Sequence, residues 1–185
     1  APALQQLVAL THLKACIVLP CSESSAQGQP LQQGVPCLQH LCPGLRSLHL
    51  DIDFEPGSSQ QQTQVPVAEL LPSSLEQLHM RMTGSMMAII PCAALARYTS
   101  LQSLTLRHVV LTDPGVLLDM PGLDALDLCG VFCFVDSRFQ HAIDWLAARA
   151  HTDQQCLTKL ARLGLWQSSQ AMPLLTAAPN LRTLS

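Results

Sequence analysis

The chain has 185 residues, with 10 Lys or Arg against 13 Asp or Glu and a net charge of −3. Because only 12% of the residues are charged and the basic ones are scattered singly, the sequence offers no basic surface for a nucleic-acid backbone. The longest mainly apolar run, residues 86–96, is shorter than the roughly 20 residues that span a bilayer and contains a proline. We therefore expect neither nucleic-acid binding nor membrane insertion.

A recurring leucine spacing, Leu-x-x-Leu-x-Leu, runs along the chain, in which 34 residues are leucine. In chain order the copies are a degenerate one at Leu13, Cys16 and Val18, then Leu45/Leu48/Leu50, Leu75/Leu78/Met80, Leu101/Leu104/Leu106, Leu123/Leu126/Leu128, Leu160/Leu163/Leu165, and a partial one at Leu181 and Leu184. They start 32, 30, 26, 22, 37 and 21 residues apart. Internal repetition of this length predicts a solenoid.

Each copy is predicted to form a strand, because its last two leucines lie two residues apart and so point to one face of a strand. A neighbouring copy buries that face if the strands pair in parallel. Short helices fit the return connections, and a proline lies near the start of the candidates at 35–41, 66–71, 91–98 and 113–120. A longer helix is predicted after Ser137, where apolar residues as far as Ala150 follow one helical stripe.

Two polar stretches interrupt the pattern, at residues 21–34 and 55–64. Both are rich in Ser, Gln and Gly and poor in apolar residues, so they are predicted to be insert loops rather than parts of the core. Both follow a predicted strand in consecutive copies, which places them on the same rim. We interpret them as tolerated low-complexity insertions, with a partner-binding rim as the alternative.

The seven copies resemble leucine-rich repeats, and residues 101–116, LQSLTLRHVVLTDPGV, resemble the long repeats of ribonuclease-inhibitor-like and F-box-associated chains. The resemblance implies an α/β solenoid of about seven irregular repeats, with parallel strands on the concave face and short helices on the convex side. It spans residues 1–185 as one domain, which we expect to be a fragment of a longer chain. Such repeats carry Asn or Cys three residues after the last strand leucine, whereas this chain has Asp53, Thr83, Val109, Val131 and Ser168 there.

Catalytic and metal-binding motifs do not emerge from the sequence. Cys37, His40, Cys42 and His49 lie within thirteen residues, but their spacing does not direct the side chains to one point on a short helix. Cys129 and Cys133 are interpreted as packing thiols. No nucleophile, phosphate-binding or zinc-protease motif occurs, so we expect no enzymatic activity, no cofactor and no metal.

The residues between the strand leucines form the candidate binding surface. In successive copies one column contains Ile17, His49, His79, Thr105, Asp127 and Gly164, and the next contains Leu19, Asp51, Arg81, Arg107, Cys129 and Trp166. If the registers align, His49 lies beside His79, and Asp51 lies beside Arg81 and orients it. The predicted partner-binding residues are His49, Asp51, His79, Arg81, Thr105, Arg107, Asp127 and Trp166, because Arg and Trp are common at binding hot spots.

The sequence thus predicts a non-enzymatic protein–protein interaction scaffold in a larger complex. Alternatives are the substrate-recognition arm of an F-box-type ubiquitin ligase receptor and the repeat region of a longer multidomain enzyme. The eight cysteines are irregularly spaced and several replace repeat leucines, so we expect them to be mostly reduced and the protein to be intracellular.

Overall fold

The computed structural model describes residues 9–19, 38–54, 63–65, 67, 71–83, 88–135, 138–152, 161–165 and 180–184. In these ranges the strands are β1 (His12–Leu19), β2 (Ser47–Phe54), β3 (Thr63–Gln64), β4 (Gln77–Thr83), β5 (Ala88–Pro91), β6 (Ser103–Arg107), β7 (Val109–Thr112), β8 (Ala125–Cys129), β9 (Phe132–Val135), β10 (Arg138–His141), β11 (Arg162–Leu165) and β12 (Thr183–Leu184). The helices are α1 (Leu38–Leu41), α2 (Cys92–Leu95), α3 (Val116–Asp119) and α4 (Ala142–Thr152). The fold is therefore mixed α/β, with mostly parallel strands and few helices.

A seven-stranded sheet contains the leucine motifs, and its strands pair in parallel in the order β1-β2-β4-β6-β8-β11-β12. The second leucine of each motif from β2 onwards occupies one register: Leu48, Leu78, Leu104, Leu126, Leu163 and Leu184. Side chains alternate along each strand, so the leucines of β4 and β6 are buried while the residues between them reach solvent. From β2 onwards, the leucine spacing thus correctly predicted both the strands and their register.

A repeated hydrogen-bond pattern joins neighbouring strands just before each strand begins. One carbonyl of each unit accepts hydrogen bonds from two successive backbone N–H groups of the next unit, at distances between 2.7 and 3.2 Å. The accepting residues are Thr11, Arg46, Glu76, Gln102, Asp124 and Ala161. Six equivalent junctions in one sheet fix the relative position of consecutive strands.

The register of β1 differs from the prediction. Leu13 pairs with Leu48, so it corresponds to the second leucine of a motif rather than to the first. Assigning the first copy to Leu13, Cys16 and Val18 was therefore wrong by three residues. Apolar residues occupy both faces of β1, so its alternation does not define a single buried face.

A second, five-stranded sheet was not predicted. Its order is β10-β9-β7-β5-β3, with β3, β5, β7 and β9 parallel and β10 antiparallel to β9. Thr63 and Gln64, which were assigned to the second insert loop, form β3 and pair with Ala88 and Ile89. The other residues of that insert and the whole of insert 21–34 lie outside the described residues.

The short helices occur where prolines and apolar stripes indicated them. Helix α1 lies within the predicted segment 35–41, α2 within 91–98 and α3 within 113–120, while most of segment 66–71 lies outside the described residues. Helix α4 begins five residues after Ser137 and buries Ala142, Ile143 and Leu146 against the core. No helix among the described residues is long and apolar enough to cross a membrane.

The turn between the two sheets has a positive φ angle at the equivalent residue in two consecutive units. His108 and Gly130 follow the paired residues Arg107 and Cys129, and both have left-handed φ angles, of 57° and 61°. Val109 and Val131, which lack the expected polar side chain, are buried instead. Their backbones have other partners, since Val109 belongs to β7 and the Val131 carbonyl accepts a hydrogen bond from Ala142 N at 2.9 Å.

Candidate functional site

The open face of the seven-stranded sheet carries charged and polar side chains at the positions between the buried leucines. In β2, Leu48, Leu50 and Ile52 are buried, whereas His49 and Asp51 keep about a third of their side-chain surface exposed. We call this surface the polar face and define it by the described residues His49, Asp51, His79, Arg81, Thr105, Arg107 and Asp127.

The strand register arranges the polar face in two columns. His49, His79, Thr105 and Asp127 are successive partners in one column, and Asp51, Arg81 and Arg107 are successive partners in the other. In β1, however, the columns continue with Lys14 and Cys16 rather than with Ile17 and Leu19, which corrects the predicted first row. Trp166 lies outside the described residues.

The imidazole rings of His49 and His79 stack, as their predicted proximity suggested. Their centroids are 3.9 Å apart and their planes differ by 12°. Partial burial is the largest cause that lowers the pKa of His79 below its usual value of 6.5, and electrostatic interactions with His49 and Arg107 act in the same direction. Its neutral ring carries one nitrogen with a free lone pair, available to a hydrogen-bond donor or a metal ion.

Asp51 contacts His49 rather than Arg81. Its Oδ2 atom lies 3.5 Å from His49 Nε2, whereas no ion pair with Arg81 forms among the described residues, although the two residues are register partners. The prediction that Asp51 orients Arg81 is therefore wrong. The other carboxylate oxygen, Oδ1, is enclosed without a hydrogen-bond partner. A buried carboxylate oxygen in that state favours an incoming cation or donor.

Two arginines lie side by side on the polar face. Arg81 is exposed in β4, and its partner Arg107 in β6 pairs with Asp127, with Nη2 3.5 Å from Oδ2. The Arg107 and Asp127 side chains remain 40% and 31% exposed, and Arg107 Nε has no hydrogen-bond partner. Arg107 Nε is enclosed, so an external acceptor can approach the exposed Arg81 side chain and only the exposed part of the Arg107 side chain.

Two cysteines that are close in the sequence belong to different sheets. Cys129 belongs to β8 of the larger sheet, whereas Cys133 is buried in β9 of the smaller sheet. Burial raises the pKa of both Cys133 and Cys42, which suits packed thiols rather than metal ligands. Cys37 lies outside the described residues, and His40 is exposed on α1.

A group with metal-ligand chemistry exists among residues that the sequence placed on one surface but did not identify as metal ligands. One ligand atom each from His49, Asp51 and His79 lies within 4.8 Å of the others. The signal was hidden because the ligands come from two strands and His79 follows His49 by thirty residues. Only the register brings them together.

Comparison of the sequence with protein-family models finds no match, and comparison with curated proteins finds none either. The function must therefore be inferred from the geometry of the described residues.

Proposed function

We propose that this chain is a leucine-rich-repeat solenoid of about seven irregular repeats and serves as a non-enzymatic scaffold that binds a partner protein within a larger complex. The in-register leucines and the six equivalent carbonyl junctions support the repeat assignment, because each strand relates to the next in the same way. In such an array the strands line a concave surface and the short helices lie on the convex side.

The polar face is the proposed partner-binding surface, and the observation that carries this proposal is its continuous register. Four adjacent strands, β2, β4, β6 and β8, present a partly exposed polar or charged side chain at the same position, while the positions on either side are buried leucine or methionine. Such a surface combines a rigid backbone with variable side chains, as protein recognition requires.

Arg81 and Arg107 are the proposed anchors on this face. They occupy one register on adjacent parallel strands, so their backbones lie about 4.8 Å apart. Arginine forms paired hydrogen bonds with a carboxylate and contributes strongly at buried contacts. A partner segment with Asp or Glu side chains fits both guanidinium groups, and Asp51 and Asp127 supply acceptors for its basic residues.

The test is recovery of the partner by affinity purification from the native source, comparing the double variant Arg81→Ala/Arg107→Ala with the wild type. Recovery should fall by at least tenfold, since truncating one anchoring arginine at an interface typically costs 2 kcal/mol or more, in order of magnitude about thirtyfold in Kd. Arg46→Ala/Arg162→Ala is the matched control, because it removes the same charge from exposed arginines at the strand starts.

Equal loss in both double variants would attribute the effect to net charge and would contradict the proposed surface. Unchanged recovery in Arg81→Ala/Arg107→Ala would rule out these anchors and direct attention to the inserts at 21–34 and 55–64. Melting curves of the wild type and the two double variants should agree, because Arg81 is exposed and Arg107 is partly exposed.

A further inference from the structure

We propose that His49, Asp51 and His79 bind a divalent metal ion of the zinc class on the polar face. The proposal goes beyond partner binding, since it concerns the isolated chain. It depends on two independent observations, the convergence of three ligand atoms within 4.8 Å and the enclosed Asp51 Oδ1 that lacks a hydrogen-bond partner.

The backbone geometry explains why these three side chains converge. His49 and Asp51 are two residues apart in β2, so both point to the same face of the sheet. His79 is the register partner of His49 in the parallel strand β4, about 4.8 Å away in the hydrogen-bonding direction. Two neighbours along one strand and one across the ladder form a triangle, which is a compact way for parallel strands to present three ligands.

The distances are close to those of a zinc site. With Zn–N and Zn–O bonds of about 2.0–2.2 Å, two ligand atoms of a tetrahedral ion lie about 3.4 Å apart. His49 Nε2 and Asp51 Oδ2 already lie 3.5 Å apart, and all three ligand atoms lie within 4.8 Å of one another. Binding would require the stacked imidazoles to rotate out of their parallel arrangement, because a nitrogen lone pair lies in the plane of its ring. Both side chains are partly exposed, so this rotation meets solvent on one side.

The donor set selects the class of ion. Two imidazole nitrogens and one carboxylate suit Zn²⁺ or Co²⁺, whereas Mg²⁺ and Ca²⁺ prefer oxygen ligands. Three protein ligands leave at least one position of a tetrahedral ion to water or to a donor from a bound partner. The carboxylate offsets part of the ion's charge, and the nearby Arg107 is already paired with Asp127 at 3.5 Å.

Isothermal titration of the chelator-free protein with ZnCl₂ at pH 7.5 tests the proposal. We expect one saturable zinc site per chain, and at least about a tenfold weaker affinity in Asp51→Asn and in His79→Gln, since even outer-shell changes cost about 10–100-fold. His40→Gln and Asp119→Asn are matched controls, because both remove the same groups from exposed helical positions. Substituting Co²⁺ should give a visible absorption band typical of tetrahedral coordination, and Asp51→Asn should abolish it.

Absence of saturable zinc binding would overturn the proposal, as would equal affinity in the ligand variants and in the wild type. A loss of affinity in the two controls as large as in the ligand variants would identify nonspecific surface binding, which also overturns it. Circular dichroism of each variant separates loss of the site from loss of the fold, and two independent ligand variants keep the test valid if one misfolds. Since the titration contains no partner, its result is independent of partner recovery.

Discussion

Strands β6 and β1 belong to the same seven-stranded sheet but have very different environments. In β6, Leu104 and Leu106 are fully buried, because β4 lies on one side and β8 on the other. In β1, Leu13, Ala15 and Ile17 are only partly buried, Val18 is 57% exposed, and β2 is the partner strand within the described residues. The contribution of a motif leucine to the stability of the fold therefore depends on how many neighbouring units cover it. This is expected for stacked units that each contact only the adjacent ones.

Leu104→Ala should have the largest effect on stability, since it removes buried methyl groups and leaves a cavity between two packed strands. We expect the free energy of unfolding to fall by about 2–5 kcal/mol. Leu13→Ala, the same substitution at the register position in β1, should cost only about 1 kcal/mol because that side chain is already half-exposed. Urea denaturation of both variants measures the difference.

Equal losses at the two positions would contradict the dependence on neighbouring units. They would indicate that β1 is covered in solution as well as β6 is. A near-zero loss at Leu104 would contradict the packing of the interior strands.

Leucine spacing predicted the interior of the seven-stranded sheet because a single residue type marks its buried face. It failed at β1, where Leu13, Cys16, Ile17 and Val18 are all apolar and either face could be the buried one. It also missed the five-stranded sheet. Strands such as Val109–Thr112 have only four residues, and their pairing with β5 and β9 depends on residues far away in the chain.

Tyr98→Phe should produce the second-largest effect, because it removes a polar link between interior units. The buried Tyr98 hydroxyl donates to the Val67 carbonyl at 2.9 Å and lies 3.3 Å from the Leu71 carbonyl. Its loss leaves at least one buried carbonyl without this donor, so we expect a loss of about 1–3 kcal/mol in unfolding free energy. An unchanged urea midpoint would mean that a water molecule replaces the hydroxyl as hydrogen-bond donor. Water would then reach the interior, in contrast to the full burial of the leucines in β6.

The candidate site was predictable in its backbone but not in its contacts. Register followed from the leucines, so the proximity of His49 to His79 and of Asp51 to Arg81 could be foreseen. The choice of His49 over Arg81 as the contact of Asp51 depends on side-chain rotamers, which repeat spacing does not encode. The same limit concealed the three-ligand group.

Gly130→Ala should have a smaller effect, of about 1–2 kcal/mol, because a Cβ is disfavoured at a φ of 61°. The added Cβ would also come within 2.8 Å of His108 Nδ1. His108→Ala is the matched control, since its backbone already has the same conformation in the preceding unit, and it should change stability by less than about 0.5 kcal/mol. In the double variant the contact with His108 disappears, so any remaining loss measures the backbone term alone.

Thiol labelling should distinguish the interior from the first strand without changing stability at all. Burial, with smaller contributions from Asp113 and Cys133, raises the pKa of Cys92 to about 12, so only about one thiol in ten thousand is ionised at pH 8. Because the thiolate is the reactive form, iodoacetamide should modify Cys92 only when the protein unfolds.

Cys16 is exposed on β1 and should be alkylated first, as mass spectrometry of digested samples would show. The described cysteines, Cys16, Cys42, Cys92, Cys129 and Cys133, carry free thiols. Because the buried leucines form the core, we expect mild reduction to leave the melting temperature nearly unchanged. The decisive measurement combines this labelling with Leu104→Ala: its lower stability should accelerate alkylation of Cys92 in proportion to the unfolded population, while the rate at Cys16 stays constant. Labelling of Cys92 as fast as Cys16 in the wild type would mean that the interior opens locally, and the contrast between the two strands would then not hold in solution.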